Sequence, residues 1–231
     1  MSKKMPDKIH NYLLALETSG KTSSFALLDN DDLVGEVIIR FPVHRKDSIA
    51  FWIHNWLRDL DVPFEKLNNA AVSWGPGSFT GLRVGMSIAK GLCLSHNIPL
   101  WQIPTLQAMA LAAPPSGNLL CPTTLARRGE CYAALYRWVS DNIEELDPPF
   151  VADAQQLCDN LPGAAWIWGE GAMAMKDDLE GLLSPDQRIV TGDIFVQRAS
   201  LVARAARQKF LAGAEPATPD LEPFYLKQFP G

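Results

Sequence analysis

The spacing of apolar residues changes between the start of the chain and the segment that follows it. Short apolar runs separated by turn-like residues predict three strands of an antiparallel meander, at residues 12–16, 24–29 and 33–39. From residue 47 to residue 61 the apolar residues recur every three or four positions, which predicts an amphipathic helix. Asp47 or Ser48 suits the N-cap of this helix.

A glycine-rich block, Trp74–Arg83, joins a predicted strand at 69–73 to a predicted helix at 78–96. Ser78 suits the helix N-cap, because its hydroxyl can accept a hydrogen bond from a free backbone N–H of the first turn. Such a turn can present N–H groups to an anion, and a tight connection without a ligand is the alternative. The helix is apolar on most of its surface, so a neighbouring helix or a partner subunit must cover the side that its own sheet leaves open.

The second half of the chain repeats the first in shorter elements. With a further strand at 99–103, the first half has the order β-β-β-α-β-α. Later strands are predicted at 118–126, 130–139, 143–146, 165–168 and 188–190, and helices at 153–161, 172–183 and 199–212. The prediction is an α/β protein of two related lobes. Its parts are an N-terminal lobe (1–104), a C-terminal lobe (105–192), and a helix with an extended tail (193–231) that packs back on the N-terminal lobe.

Composition and charge narrow the class of protein. The chain has 231 residues, 47% hydrophobic residues and a formal net charge of −5, which argues against strong nucleic-acid binding by the chain alone. The polar start is unlike a signal peptide, and no apolar run approaches the length of a membrane span. The cysteines lack C-x-x-C spacing and are predicted to be reduced core residues, so a cytoplasmic protein is expected: Cys93, Cys121, Cys131 and Cys158.

Few residues form a recognisable chemical motif. Gly20-Lys21-Thr22 ends like a P-loop, but Ala15 stands where that motif needs glycine, and a strand follows instead of a helix. The turn Glu17–Gly20 could wrap a phosphate while Glu17 holds Mg²⁺, or it could be a polar hairpin turn with a solvated glutamate. Gly169-Glu170-Gly171 is a second, weaker anion turn, and Arg127-Arg128 lies in another turn. No metal-binding histidine pair and no G-x-S-x-G nucleophile motif occurs.

Several stretches resemble the YeaZ/TsaB family, the small non-catalytic relatives of the TsaD enzymes. The most specific is Gly75–Gly85, with the sequence GPGSFTGLRVG. Weaker similarities extend the resemblance along the chain, at Leu14–Ser19, Ala89–Leu92, Arg127–Tyr132 and Pro223–Leu226. The resemblance implies a two-lobed actin-like fold of the Hsp70 and sugar-kinase (ASKHA) type, which agrees with the predicted strand order.

The resemblance also implies a function. Members of such families take part in forming threonylcarbamoyladenosine (t6A) on tRNA, where the TsaD-like subunit transfers the threonylcarbamoyl group and carries a metal on a pair of helix histidines. This chain lacks that pair, which fits a scaffold or activator without catalytic residues or metal. Implied partners are a TsaD-like transferase, a TsaE-like P-loop ATPase and a second copy of the chain, with tRNA contacted only through the complex. No cofactor is expected for this chain, and ATP and Mg²⁺ are assigned to the partner subunits or their interface.

The candidate site residues form two sets. A vestigial phosphate-binding set comprises Glu17, Thr18, Ser19, Gly75, Gly77, Ser78, Thr80 and Arg83. A partner interface comprises Ile49, Trp52, Ile53, Trp56, Val84, Ile88 and Leu92, where a charge at Ile53 or Ile88 is expected to break dimerisation. Two positions depart from the family pattern, which usually has aspartate at Glu17 and at Leu125, and both departures weaken the case for a bound nucleotide.

Two other functions compete with the scaffold. An ATP-dependent phosphotransferase of the same fold would need Glu17 and a second carboxylate from the other lobe, and no convincing second acid is identified in a glycine-rich turn. A protease or chaperone-like peptidase homologue would need a nucleophile–base pair, which the sequence does not reveal.

Overall fold

The computed structural model describes residues 9–40, 49–218 and 220–226, and these form two five-stranded sheets. The first lobe contains β1 (Tyr12–Glu17), β2 (Ser23–Asp29), β3 (Asp32–Ile39), α1 (Ile49–Asp59), β4 (Leu67–Gly75), α2 (Phe79–His96), β5 (Leu100–Pro104) and α3 (Thr105–Ala110). The second contains β6 (Leu119–Leu125), β7 (Cys131–Val139), β8 (Asn142–Ala152), α4 (Ala154–Asp159), β9 (Ala165–Gly169), α5 (Glu170–Ala174), α6 (Lys176–Glu180), β10 (Gln187–Ile189) and α7 (Ala199–Leu211). Single turns of 3₁₀ helix lie at Phe64–Lys66 and Asp193–Phe195.

Both sheets have the same topology. The first has the order β3-β2-β1-β4-β5, with antiparallel pairing through β1, β2 and β3 and parallel pairing of β1 with β4 and β4 with β5. In the second sheet, β6 to β10 repeat this order and these directions. The predicted two-lobed fold of repeated β-β-β-α-β-α units is confirmed.

Side chains of the central strand β1 alternate between two cores, as the pleat of a strand requires. Leu14 and Leu16 point into a core shared with α1 and α2 on the outer face of the first sheet. Leu13 and Ala15 point the other way, towards α7. In the second sheet, the outer face is covered in the same way by α4, α5 and α6.

The last helix of each lobe packs against the sheet of the other lobe. Leu106 and Met109 of α3 lie in a core with Tyr136 and Trp168 of the second sheet. In exchange, α7 packs on β1 and β2 of the first sheet, and α3 contacts α7. This exchange of helices joins the two lobes. The predicted lobe boundaries at residues 104 and 192 stay a prediction.

Three elements differ from their predicted form. The short helix α3 was not predicted, although its apolar residues recur at three- and four-residue spacing. The helix predicted at 172–183 is two short helices that meet at Met175, where the backbone leaves helical geometry at φ −115°. Strand β8 is longer than predicted and includes Pro148 and Pro149, which an edge strand tolerates where its register shifts.

Other predictions concern helix caps, cysteines and membrane-spanning helices. Ser78 and Asp153 cap α2 and α4 as expected, and Asp153 forms a complete capping box with Gln156. Asp47 and Ser48, proposed to cap α1, lie outside the described residues. All four cysteines are free. No helix in the described ranges combines the length and apolar character needed to cross a membrane.

Candidate functional site

The block Trp74–Arg83 lies where the first lobe meets the second. Strand β4 ends at Gly75, and Ser78 Oγ accepts a hydrogen bond from Gly81 N at 3.2 Å as α2 begins. Any Cβ on Gly81 or Gly85 would overlap Thr18 in the turn between β1 and β2. Thr18 Oγ1 also donates to Gly81 O at 2.8 Å. The glycines therefore bring the helix into direct contact with this turn.

The predicted phosphate turn is already bonded to the protein's own groups. Ser19 N donates to Glu17 Oε1 at 2.6 Å, and Ser19 O accepts from Ser78 N at 2.7 Å. Glu17 is only 1% exposed. Burial raises the pKa of Glu17, hydrogen bonds from Ser19 and Ser73 oppose that change, and the nearby carboxylate of Glu170 adds to it.

Two side chains of the second half of the chain close this turn. Glu170 Oε1 accepts a hydrogen bond from Lys21 N at 2.7 Å, and Gln197 Nε2 donates to Ser19 Oγ at 2.8 Å. The Gln197 side chain lies directly against Gly20. We call these two contacts the interlobe latch. A phosphate at the turn would have to displace both, so the residues present do not fit an Mg²⁺-nucleotide in this arrangement.

Glu170 is the second carboxylate that the sequence analysis did not find. It stands in Gly169-Glu170-Gly171, the motif that was judged a weak anion turn. Gly169 has a φ of 104°, and Glu170 follows as the first residue of α5. The available signal was an acidic residue between the two glycines, at the start of a helix in the other lobe.

A cleft of about 460 Å³ lies beside the latch. Its walls mix charged side chains of both signs with apolar ones, including Lys21, Arg40, Glu170, Asp193, Met109 and Phe195. In the part of the chain that the structure describes, no group of three or more His, Cys, Asp or Glu side chains is placed to hold a metal ion.

The candidate phosphate-binding residues separate into two groups. One group lies where the first lobe meets the second, which we call the junction, and comprises Glu17, Thr18, Ser19, Gly77 and Ser78. A Cβ on Gly77 would overlap Ser19 there. In contrast, Thr80 and Arg83 are exposed on α2, and Gly75 packs against Phe224 in the C-terminal tail.

The candidate interface residues are also divided. Ile49 and Ile53 are 9% and 1% exposed and belong to the core between the sheet and its outer helices. A charge at Ile53 would therefore disrupt the lobe itself, which corrects its use as a test of dimerisation. Trp52, Trp56, Ile88 and Leu92 are partly buried against the same core, and Val84 is 40% exposed.

Three exposed apolar residues on these helices were not predicted as interface residues, namely Phe51, Phe79 and Leu94. Phe51 of α1 is 54% exposed and Leu94 of α2 is 74% exposed. Phe51 was recognisable as the apolar residue outside the three- and four-residue spacing of α1. We call the solvent-facing sides of α1 and α2 the outer helical face.

The C-terminal tail crosses the first lobe and reaches the glycine-rich block. Trp74 Nε1 donates to Glu222 O at 2.7 Å, and Phe224 N donates to Trp74 O at 2.9 Å. The rings of Trp74 and Phe224 lie 5.0 Å apart. Arg83 Nε donates to the hydroxyl of Tyr225 at 3.0 Å. Arg83, a candidate phosphate ligand, is thus a contact of the tail.

Two α/β lobes of one topology, with helices exchanged between them, define the actin-like class of proteins. The solved structure titled "YeaZ from Pseudomonas aeruginosa" shares this fold with a TM-score of 0.75 and 22% identity, covering 93% of this chain and 100% of that one.

Sequence comparison then identifies the family. The family model described as "TsaD: tRNA N6-adenosine threonylcarbamoyltransferase" matches residues 43–167, more than half of the chain. The chain is 30% identical to the Escherichia coli tRNA threonylcarbamoyladenosine biosynthesis protein TsaB, over 93% of this chain and 94% of that protein. It is 28% identical to the Bacillus subtilis protein of the same name, over 90% and 92%. The chain belongs to the YeaZ/TsaB family.

Proposed function

We propose that this chain is a non-catalytic subunit for t6A formation on tRNA, and that it docks on a TsaD-like transferase through the outer helical face. The observation that carries the proposal is the set of apolar side chains on this face, where Phe51, Val84 and Leu94 are 54%, 40% and 74% exposed. Exposed apolar side chains gathered on one layer are typical of protein interaction sites. The names of the TsaB relatives support the pathway.

The junction supports a role without chemistry of its own. Backbone N–H groups of the phosphate turn donate to Glu17 and Glu170, and Ser19 Oγ accepts from Gln197. With these contacts intact the turn has few donors left for a ligand, so the chain needs no cofactor. ATP and Mg²⁺ act at the partner subunits or their interface.

A phosphotransferase is the second candidate, because Glu17 and Glu170 place a carboxylate from each lobe near one turn. Against this candidate, a nucleotide phosphate would find the turn occupied, because the Gln197 side chain lies against Gly20 and Glu170 accepts a hydrogen bond from Lys21 N. A cysteine hydrolase is disfavoured on other grounds: burial raises the pKa of Cys93 to about 11 and that of Cys131 to about 12, which keeps both thiols protonated near neutral pH.

The remaining partners follow from the same proposal. A TsaE-like P-loop ATPase completes the assembly, and without the transferase the outer helical face supports a homodimer. The net charge of −5 favours tRNA binding through the complex rather than by this chain alone. These functions are expected in the cytoplasm.

Co-purification with the transferase, combined with a t6A assay, tests the proposal. We expect the wild-type chain to bind the transferase and raise its rate of tRNA modification. Val84→Glu should weaken binding about tenfold or more, because it places a charge among the exposed apolar residues of α2. Leu182→Glu is the matched control, since Leu182 is 41% exposed in the second lobe.

Two results would contradict the proposal. One is a modification rate that does not change when the wild-type chain is left out. The other is phosphorylation of a sugar by the purified chain at a rate typical of enzymes, which would favour the phosphotransferase.

A further inference from the structure

Arg83 is held in one position by α2 and the C-terminal tail together. Its guanidinium carbon lies 3.8 Å from the centre of the Phe79 ring and 5.9 Å from that of Tyr225, and the two rings are 5.0 Å apart. Its Nε donates to the Tyr225 hydroxyl at 3.0 Å. An arginine side chain loses much rotamer freedom when it is fixed. Here that entropy is lost within the free chain, before any partner binds.

The tail is itself anchored along its path to this cluster. Ala217 N donates to Leu100 O at 2.7 Å, and Lys90 Nζ donates to Leu221 O at 2.9 Å. Further on, the backbone around Phe224 is bonded to Trp74, as described above. Tyr225 therefore reaches Arg83 from a segment with its own fixed contacts.

The terminal amino groups of Arg83 have no acceptor among the residues that the structure describes. Nε is the one guanidinium nitrogen with a hydrogen bond to a described residue, and the side chain is exposed. A guanidinium presents its remaining donors in a planar fork whose geometry matches a carboxylate or a phosphate. Arg83 is thus a preorganised cation with its donors facing solvent.

The cluster continues into the outer helical face. Thr80, Arg83, Val84 and Ser87 are all exposed, and Arg83 and Val84 are each three or four positions from both Thr80 and Ser87, so the four lie along one side of α2. Phe79, at 37% exposed, borders the same strip. A protein seated on Val84 would therefore also contact Arg83 and the end of the tail.

The acceptor for Arg83 does not come from the same helices of a second copy. The sequence of α2 contains no Asp or Glu. In α1 the acidic residue is Asp59, at its last position, where it lies 3.5 Å from Arg58. A homodimer built on these helices would offer Arg83 one carboxylate from α1 and α2, that of Asp59, which already has Arg58 beside it.

We infer that Arg83 binds a carboxylate of the docked transferase and that Tyr225 positions it, so the tail is part of the docking surface. This inference rests on the proposed function. A protein carboxylate is favoured over an RNA phosphate because the exposed residues beside Arg83 on α2 are the apolar Phe79 and Val84 and the neutral Thr80 and Ser87, with no second cation among them. The contact supplies orientation and charge selectivity to an otherwise apolar surface.

The test is the Kd of the full-length chain for the purified transferase, with thermal melting to verify folding. Arg83→Ala should raise Kd about 10- to 100-fold and reduce its dependence on salt. Tyr225→Ala should raise Kd less, and Tyr225→Phe least, because the phenylalanine ring keeps the stacking and loses only the hydroxyl acceptor. Arg188→Ala is the control, since Arg188 is an exposed arginine on β10 of the second lobe.

The outcomes separate this inference from the proposed function. If Val84→Glu blocks binding while Arg83→Ala binds like wild type, the carboxylate contact is wrong and the docking face stands. If the wild-type chain does not bind the transferase, the proposed function fails first. If Arg83→Ala leaves the Kd for the transferase unchanged and weakens tRNA binding by the complex, Arg83 contacts phosphate and the inference is overturned.

Discussion

The two lobes share one strand order but differ in the helices on the outer face of each sheet. In the first lobe, α1 and α2 are 11 and 18 residues long. In the second, α4, α5 and α6 are only 6, 5 and 5 residues long. Both sets bury their sheets, so the extra length in the first lobe is not needed to form a core. We interpret it as the surface that meets a partner.

The buried polar groups near the ends of the first strands also differ between the lobes. In the first lobe, the carboxylate of Glu17, the last residue of β1, accepts hydrogen bonds from Ser19. In the second, Thr123, within β6, is buried, and its Oγ1 donates to Trp168 O at 2.8 Å and accepts from Ala172 N at 2.7 Å. The buried hydrogen-bonding group is therefore a neutral hydroxyl in the second lobe and an ionisable carboxyl in the first. The two lobes share a topology while the chemistry of their first strands differs.

The largest expected effect comes from removing a buried side chain beneath the outer helices. Ile53→Ala should lower the free energy of unfolding by about 2–5 kcal/mol, because it deletes core methyl groups and leaves a cavity. Leu157→Ala, in α4 and fully buried, should cost a similar amount in the second lobe. Urea denaturation measures both, with Val84→Ala as the exposed control, for which a change within about 0.5 kcal/mol is expected.

This comparison separates packing from docking. If Ile53→Ala weakens transferase binding, the loss of binding should match the fraction of unfolded protein. Under conditions where the Ile53→Ala protein is fully folded, it should bind like wild type. A folded, stable Ile53→Asp protein would contradict the placement of Ile53 in the core.

The fold could be predicted because its signals are local. Alternation in β1 and the helical period of α1 and α2 each depend on neighbouring residues, and three strands followed by a helix recur in both halves. The short helix α3 was missed because it spans only 6 residues directly after Pro104. Strand β8 was cut short because its two prolines are typical of turns rather than strands.

The junction could not be predicted in the same way, because its contacts join distant parts of the chain. Lys21 and Glu170 are 149 positions apart, and Ser19 and Gln197 are 178 apart. A turn rich in small and hydroxyl residues is equally suited to a phosphate and to side chains of its own protein. Only the folded arrangement distinguishes the two, and the tail contact with Arg83 has the same origin.

An intermediate effect is expected at the latch. Gln197→Ala should lower the free energy of unfolding by about 1–3 kcal/mol, since Gln197 is 4% exposed and its loss leaves the buried Ser19 hydroxyl without this donor. Gln155→Ala is the control, because Gln155 is exposed on α4 and its side chain donates to Asp159 of the same helix. Equal unfolding midpoints for the two variants would show that the Gln197 contact of the latch contributes nothing to stability.

The smallest expected effect, and the one that most directly compares the buried polar groups of the two lobes, is the pH dependence contributed by Glu17. Burial raises the pKa of this carboxyl above its ordinary value of 4.5 in the folded protein. Between 4.5 and the higher folded pKa, the folded state therefore binds more protons than the unfolded state. The contribution of Glu17 to the free energy of unfolding is fully present below pH 4.5, and it is lost as the pH rises from 4.5 through the folded pKa.

Glu17→Gln puts a neutral group in place of the buried carboxyl of the first lobe, comparable with the neutral hydroxyl of Thr123 in the second, and should remove this loss. The variant should gain stability relative to wild type as pH rises from 4 to 8, because the amide oxygen can still accept from Ser19 while no charge is buried. Urea denaturation across this pH range measures the difference, with the exposed Glu65→Gln as control. A variant that becomes less stable than wild type as pH rises would mean that ionised Glu17 is stabilised by its neighbours. Hydrogen bonds would then outweigh burial, and the folded pKa of Glu17 would lie below its ordinary value rather than above it.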